Sequence, residues 1–267
     1  MPGFSPIEYL IVSLLVAAFS LRYAGYRWSQ PVLSVAGRWA RWLLFALLFT
    51  YILSTTGWST RPDWVHFTTG FALWFLLESA YHWIGIKALS RSQLPLFPNF
   101  EENCDGDEWP ADTKTIELRE WLRGRGFKRL AALKAELFAE TYLRASVYES
   151  EDRLLRVQVL FIPKQRGGSY TCFTLMSHGA EGRRLITDNL FLPFGGYYPE
   201  HWELERRPLI GSLPPLLRLH AKRLEKSSLE PRPCEADPLE EVNEQQRILE
   251  RLNLETGFLI PRQRQEE

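Results

Sequence analysis

Three long apolar stretches lie in the first third of this 267-residue chain, and they constrain its fold more than any other feature. They run over residues 7–23, 39–57 and 65–86. Each can form a helix of about 17 to 22 residues, which at about 1.5 Å per residue approaches the roughly 30 Å hydrocarbon thickness of a bilayer. A cleaved signal peptide begins with a basic segment, but no Lys or Arg occurs before Arg22. The sequence therefore predicts three retained transmembrane helices within residues 1–93.

The cations between these stretches predict how the helices are oriented, because short loops rich in Lys and Arg stay in the cytoplasm. The first connection is the more basic of the two and contains Arg22, Arg27, Arg38 and Arg41. The second contains only Arg61. We therefore expect an integral protein of a bacterial inner (plasma) membrane, with the N-terminus outside and the C-terminal domain in the cytoplasm. The lipid bilayer is its first predicted partner.

Two ionisable residues lie inside the third apolar stretch. Glu78 and His82 are four residues apart, so they share one face of a helix. Ionisable side chains at membrane depth mark proton or ion pathways, which makes this pair a candidate intramembrane site. The alternative is a structural ion pair, in which Glu78 binds Arg41, Arg22 or His82 itself.

Prolines and acids interrupt the apolar pattern over residues 94–112, where no Lys or Arg occurs. Residues 105–108 read Asp-Gly-Asp-Glu, but they lack the spacing and the closing glutamate of a calcium loop. We interpret the segment as a solvated acidic linker. It separates the membrane region from a soluble domain over residues 113–230, and a further linker with a C-terminal helix follows over residues 231–267.

Alternating apolar and polar residues predict four strands in the soluble domain, over residues 141–148, 155–161, 170–177 and 184–189. Their short connections favour an antiparallel meander, because parallel neighbours need crossovers of about a dozen residues or more. A helix over residues 113–125 and another after Ser212 carry apolar stripes that suit one face of such a sheet. The second helix is basic on its other side, so it could instead rest on anionic lipid. The predicted fold class is α+β, with the sheet packed by helices.

Residue types that carry chemistry are present but do not form a recognisable motif. The histidines of the soluble part are His178, His201 and His220, and the cysteines of the chain are Cys104, Cys172 and Cys234. Three histidines could hold zinc in principle, but their spacing matches no ligand pattern, so separate structural roles are expected. The cysteines are odd in number and far apart, which favours unpaired thiols in a reducing compartment. We predict no catalytic residue, no metal site and no cofactor.

The segment over residues 191–202 reads FLPFGGYYPEHW and fits neither a helix nor a strand pattern. Its candidate contact residues are Phe191, Phe194, Tyr197, Tyr198 and Trp202. As an exposed loop it could bind a partner or enter the headgroup region of a membrane. The alternative is a lid over the core, since Tyr and Trp often seal core edges with their polar tips outward.

These features favour a noncatalytic, membrane-anchored interaction or scaffold module with a protein partner. Nucleic acid is not an expected partner, because 32 Lys and Arg balance 32 Asp and Glu and no basic face is apparent. One alternative is a pocket for a small apolar or lipidic ligand, with hydrolytic chemistry as an extension. That pocket would be lined by Tyr142, Tyr148, Phe173 and Tyr197. A further alternative is an accessory subunit of a transporter.

Overall fold

A computed structural model describes residues 5–28, 30–91, 95–105, 109–138, 140–164, 168–191 and 196–260. The chain folds into two compact units, Met1–Ile86 and Lys87–Glu267. The first unit is helical and the second combines helices with one sheet.

The first unit is built from the helices α1 (Pro6–Trp28), α2 (Pro31–Thr56) and α3 (Asp63–Arg91), the last of which continues past it. Pro31 begins α2, where its missing N–H costs no helical hydrogen bond. Gly57 ends α2 in the left-handed conformation with a φ of 66°. A Cβ atom on Gly70 of α3 would lie 3.0 Å from the Cβ of Phe49, so α2 and α3 approach closely there.

Two helices of this unit, and not three, are long and apolar enough to cross a membrane among the residues that the structure describes. Only 6% of the apolar window of α1 and 22% of that of α2 is buried, so both present apolar side chains outward. The third predicted span does form a helix, but the count of three spans is wrong. Glu78, His66 and His82, together with several Trp and Tyr residues, make α3 too polar to meet the same standard.

The second unit contains seven strands and three helices of two turns or more within the described residues. In chain order these are β1 (Glu101–Glu102), α4 (Thr113–Gly124), β2 (Lys128–Phe138), β3 (Thr141–Glu149), β4 (Arg156–Pro163), β5 (Ser169–His178), β6 (Arg184–Asp188), β7 (Trp202–Arg206), α5 (Leu213–Lys226) and α6 (Pro238–Glu255). The strands form one sheet in the order β1 to β7. The domain is therefore α+β, as predicted.

The predicted four-stranded sheet is too small. The four predicted strands correspond to β3 to β6, and their antiparallel meander is confirmed. The sheet continues through β2 and β1 on one side and through β7 on the other, and β7 pairs parallel to β6. Strand β2 reads KRLAALKAELF, a composition that favours a helix, yet it pairs with β3 from Lys128 to Phe138, with irregularities at Leu130 and Leu137. Pairing with a neighbouring strand overrides local propensity here.

Helices cover both faces of the sheet, which places the core in two layers. On the first face, α4 and α5 pack Leu122, Leu213 and Leu216 against strand residues such as Val157 and Val159. These are the two covering helices that the sequence predicts. The opposite face is covered by α6, through Val242 and Leu249. The first turns of α6 lie over the sheet where Arg156 and His178 are found, since Glu241 contacts both residues.

Candidate functional site

Five polar side chains meet between the sheet and the start of α6. Glu149 ends β3, Arg156 begins β4 and His178 ends β5. The antiparallel registers bring these three residues together, since Glu149 pairs with Arg156 and Arg156 pairs with Met176. Glu241 comes from α6, and Cys234 from the segment before that helix. We call these five residues the polar cluster.

Arg156 is the hub of the polar cluster. Its Nη1 donates to Glu241 Oε2, and its Nε donates to Glu149 Oε1 at 3.3 Å. Its Nη2 donates to the backbone carbonyl oxygens of Cys234 at 3.0 Å and Ala236 at 2.9 Å. A buried guanidinium is tolerated only when its charge and its donors are both satisfied. The two carboxylates and two carbonyls meet that requirement and hold the segment that carries Cys234.

His178 joins Glu241 to Cys234. Its Nε2 lies in hydrogen-bond contact with Glu241 Oε1, and its backbone carbonyl accepts from the Arg232 N–H at 2.8 Å. Burial by itself lowers the pKa of His178, but hydrogen bonds to Cys234 and Glu241 outweigh burial and raise that pKa to about 9. For Glu241, burial by itself raises the pKa. The hydrogen bonds and positive charges of His178 and Arg156 outweigh burial, so the pKa of Glu241 is lowered overall. His178 and Glu241 therefore form an ion pair at neutral pH.

A cavity of about 460 Å³ opens beside the polar cluster and makes part of it accessible. His178, Cys234 and Glu241 line this cavity together with Arg184. Further acidic groups come from Glu235, Glu240 and Glu244. The lining therefore carries more acidic than basic side chains, which favours a cationic ligand over an anionic one.

A second buried group lies on the opposite face of the sheet, where His220 of α5 contacts two hydroxyls. Its Nε2 lies 3.1 Å from Ser177 Oγ and its Nδ1 lies 2.9 Å from Thr187 Oγ1. Burial, and then the charge of Arg223, lowers the pKa of His220 to about 4. Ser177 and Thr187 are fully buried. The pair resembles a serine nucleophile with its base, but a substrate cannot reach it, so its role is structural.

The structure separates the three histidines that sequence reasoning considered together. His178 and His220 lie on opposite faces of the sheet, and His201 precedes β7. They do not share a site. Sequence reasoning missed Glu149, Arg156 and Glu241, because no local pattern shows that a charged residue in a strand or helix is buried.

The candidate intramembrane pair falls within α3. Glu78 Oε1 accepts from Arg38 Nε at 2.9 Å, and Glu78 Oε2 accepts from Trp42 Nε1 at 2.6 Å. This contact joins α2 to α3 and has the form of the structural alternative, with Arg38 in place of Arg41 or Arg22. The His82 ring lies next to that of Tyr81, at 6.0 Å between centroids.

The aromatic segment divides between core and surface. Trp202 is buried at the start of β7, and the Tyr198 hydroxyl accepts from Arg206 Nη2 at 2.8 Å. In contrast, Phe191 and Tyr197 are more than half exposed, and Phe194 lies outside the described residues. The segment is therefore neither a simple lid nor a wholly exposed loop.

Asn253 of α6 fixes the backbone of Tyr197. Its Oδ1 accepts from the Tyr197 N–H at 2.7 Å, and its Nδ2 donates to the Tyr197 carbonyl at 3.0 Å. A Cβ atom on Gly196 would lie 2.9 Å from the same Oδ1, so only glycine fits beside this contact. The Tyr197 ring is left exposed and meets Phe258 edge to face at 5.8 Å.

Comparison with protein-family models, curated proteins and solved structures finds no match for this chain. The geometry defines two features with functional potential. One is the accessible polar cluster, which brings an imidazole, a thiol and a carboxylate together. The other is the Tyr197 ring, which is exposed on an immobilised backbone.

Proposed function

We propose that this protein is a membrane-anchored, noncatalytic interaction module whose folded domain presents Tyr197 to a protein partner. The anchor is supported by α1 and α2, whose apolar side chains are mostly exposed and would be stabilised by lipid. Apolar helices near an N-terminus also occur in signal sequences. The experiment below therefore tests membrane attachment as well as the interaction.

The observation that carries the proposal is the state of Tyr197. Both of its backbone polar groups bind the buried side chain of Asn253, while 55% of the residue is exposed. Tyrosine side chains contribute strongly to protein interfaces, and a backbone that is already ordered loses less entropy on binding. A half-exposed tyrosine whose backbone is already ordered suits recognition of a folded partner.

The alternative of an apolar ligand pocket receives less support. The four aromatic residues proposed to line it are Tyr142, Tyr148, Phe173 and Tyr197. Tyr148 and Phe173 are buried in the core beneath α4 and α5, Tyr142 lies against Lys134, and Tyr197 is exposed. Because these rings occupy three separate places, they do not enclose one cavity.

The folded domain is proposed to face the cytoplasm of a bacterial cell from the inner membrane. Cys104, Cys172 and Cys234 are free thiols, which suits a reducing compartment. An N-terminus outside combined with a cytoplasmic domain needs an odd number of crossings, whereas α1 and α2 provide two. With two crossings, a cytoplasmic domain places the N-terminus in the cytoplasm as well. Reporter fusions at the N-terminus, after Gly57 and at the C-terminus test this arrangement: a cytoplasmic C-terminal fusion is expected, and an exported one would contradict it.

Photo-crosslinking in isolated membranes tests the interaction. A photoreactive phenylalanine at position 197 keeps the backbone groups that Asn253 binds, and the same label at the exposed Leu209 serves as a control position. We expect a discrete adduct from position 197 only. Asn253→Ala should abolish this adduct by releasing the backbone.

Asn243→Ala is the matched control, because Asn243 binds the backbone of Phe100 in the same two-bond manner. This variant should keep the adduct. Equal adducts from positions 197 and 209, or no adduct at either position, would contradict the proposed surface. Release of the intact protein from membranes by a salt wash would contradict the anchor.

A further inference from the structure

We propose that His178, Cys234 and Glu241 form a binding site for a divalent transition-metal ion of the zinc class. This inference is independent of the proposed interaction surface, which uses different residues. One donor atom from each of the three side chains lies within 4.8 Å of the other two. They supply an imidazole nitrogen, a thiol sulfur and a carboxylate oxygen.

The spacing of the donors suits a tetrahedral ion. Zinc binds such ligands at about 2.0 to 2.3 Å, which places its donors roughly 3.3 to 3.8 Å from each other. The donors lie within 4.8 Å of one another, so displacements on the order of 1 Å would bring them into that range. Binding would release the proton of the coordinating His178 nitrogen and the thiol proton of Cys234 to solvent, because these two donors coordinate only when deprotonated, and the ion would take the place of the His178–Glu241 contact. A thiolate combined with imidazole selects zinc or cobalt over magnesium or calcium.

Arg156 positions Glu241 and Cys234, two of the three proposed ligands, through contacts that do not use their donor atoms. It binds the Glu241 oxygen that does not face His178, and it holds the backbone carbonyl of Cys234 at 3.0 Å. Hydrogen bonds to the far side of a carboxylate ligand orient it toward a metal. Arg156 Nε also donates to Glu149 Oε1 at 3.3 Å. The guanidinium charge is therefore balanced by a carboxylate that is not one of the three proposed metal ligands.

His178 is fixed independently of Arg156. It ends β5, and its backbone forms a bridge with Arg232, in the segment that leads to Cys234. The donors are thus tied to three parts of the fold, namely the sheet, the preceding segment and α6. Such preorganisation lowers the entropic cost of binding an ion.

The site has an approach path and a free coordination position. The three donors line the cavity of about 460 Å³, and the acids of that cavity attract cations. Three protein ligands leave the fourth tetrahedral position for water or another small ligand on the cavity side. The site therefore resembles an open metal centre more than a closed structural one.

Cobalt(II) titration of the full chain in mild detergent, after treatment with a chelator, tests the proposal. We expect one saturable cobalt ion per chain, with the absorption of a tetrahedral ion and a thiolate-to-cobalt charge-transfer band. Zinc should displace the cobalt. Cys234→Ser should remove the charge-transfer band and weaken binding by roughly 10-fold or more.

Cys172→Ser is the matched control, because Cys172 is also a buried free thiol but lies outside the donor set. This variant should keep the band and the affinity. Alkylation of the wild-type chain, mapped by mass spectrometry, needs no variant to fold. Zinc should protect Cys234 from alkylation and leave Cys104 reactive. Absence of saturable binding, or equal spectra and equal alkylation with and without zinc, would overturn the site.

Discussion

Acidification should destabilise the folded domain through His220, a residue outside both proposed sites. His220 is 2% exposed, and its two ring nitrogens contact the hydroxyls of Ser177 and Thr187. A neutral imidazole is satisfied by these contacts. A protonated one would place a second positive charge beside Arg223 in a buried site, with no carboxylate among the contacts described for the ring.

The size of the effect follows from the two pKa values of His220. In the unfolded chain its pKa is near 6.5, and in the folded domain burial and Arg223 lower it to about 4. Between these values the unfolded state binds more protons than the folded state, so stability decreases as the pH falls through this window. This loss of stability is about 0.4 kcal/mol at pH 6.5 and is negligible above about pH 7.5. It amounts to about 2 kcal/mol at pH 5 and about 3 kcal/mol at pH 4.

Urea-induced unfolding of the full chain in detergent, followed by circular dichroism with a chelator present, measures this contribution. His220→Gln has no titrating ring and provides the reference. We expect the variant to be less stable than the wild type near pH 7.5, and the difference to shrink by about 2 kcal/mol at pH 5. The other titrating groups are common to both proteins and cancel. A difference that stays constant across this pH range would refute the reasoning.

Three further substitutions probe contacts that the structure places under constraint. Gly196→Ala should push against Asn253 Oδ1, cost about 1 to 2 kcal/mol and speed hydrogen exchange in the adjoining loop. Arg156→Met should leave the Glu241 carboxylate buried without its guanidinium, and should cost about 3 to 5 kcal/mol in a urea titration. Gly70→Leu should overpack the contact between α2 and α3, and should lower the thermal midpoint in detergent by an amount equivalent to about 1 to 3 kcal/mol.

Each of these substitutions has a matched control in the chain. Nothing lies within 4 Å of a Cβ atom built on Gly211 or Gly124. Gly211→Ala, the control for Gly196→Ala, and Gly124→Leu, the control for Gly70→Leu, should therefore not lower stability. Arg153 contacts Glu149 as Arg156 does, but its side chain is more than half exposed, and Arg153→Met should cost less than about 1 kcal/mol. If a control and its test variant lose equal stability, the corresponding contact is not the cause.

The sequence by itself determined the elements whose pattern is local. Long apolar runs predicted the helices of the first unit, and a period of two predicted β3 to β6 with nearly correct bounds. Short connections then determined that these four strands pair antiparallel. Each of these signals spans fewer than about 30 residues and reflects a preference of the chain for one face or one solvent.

Tertiary structure decided everything that depends on partners distant along the chain. Strand β2 has the composition of a helix and becomes a strand because β3 pairs with it along most of its length. Likewise, Arg156 and Glu241 are 85 positions apart, and His178 and Glu241 are 63 apart. The sequence does not show that Arg156 and Glu241 are buried, because their burial depends on the packing of α6 against the sheet. Packing between distant elements produces no periodic pattern in the sequence.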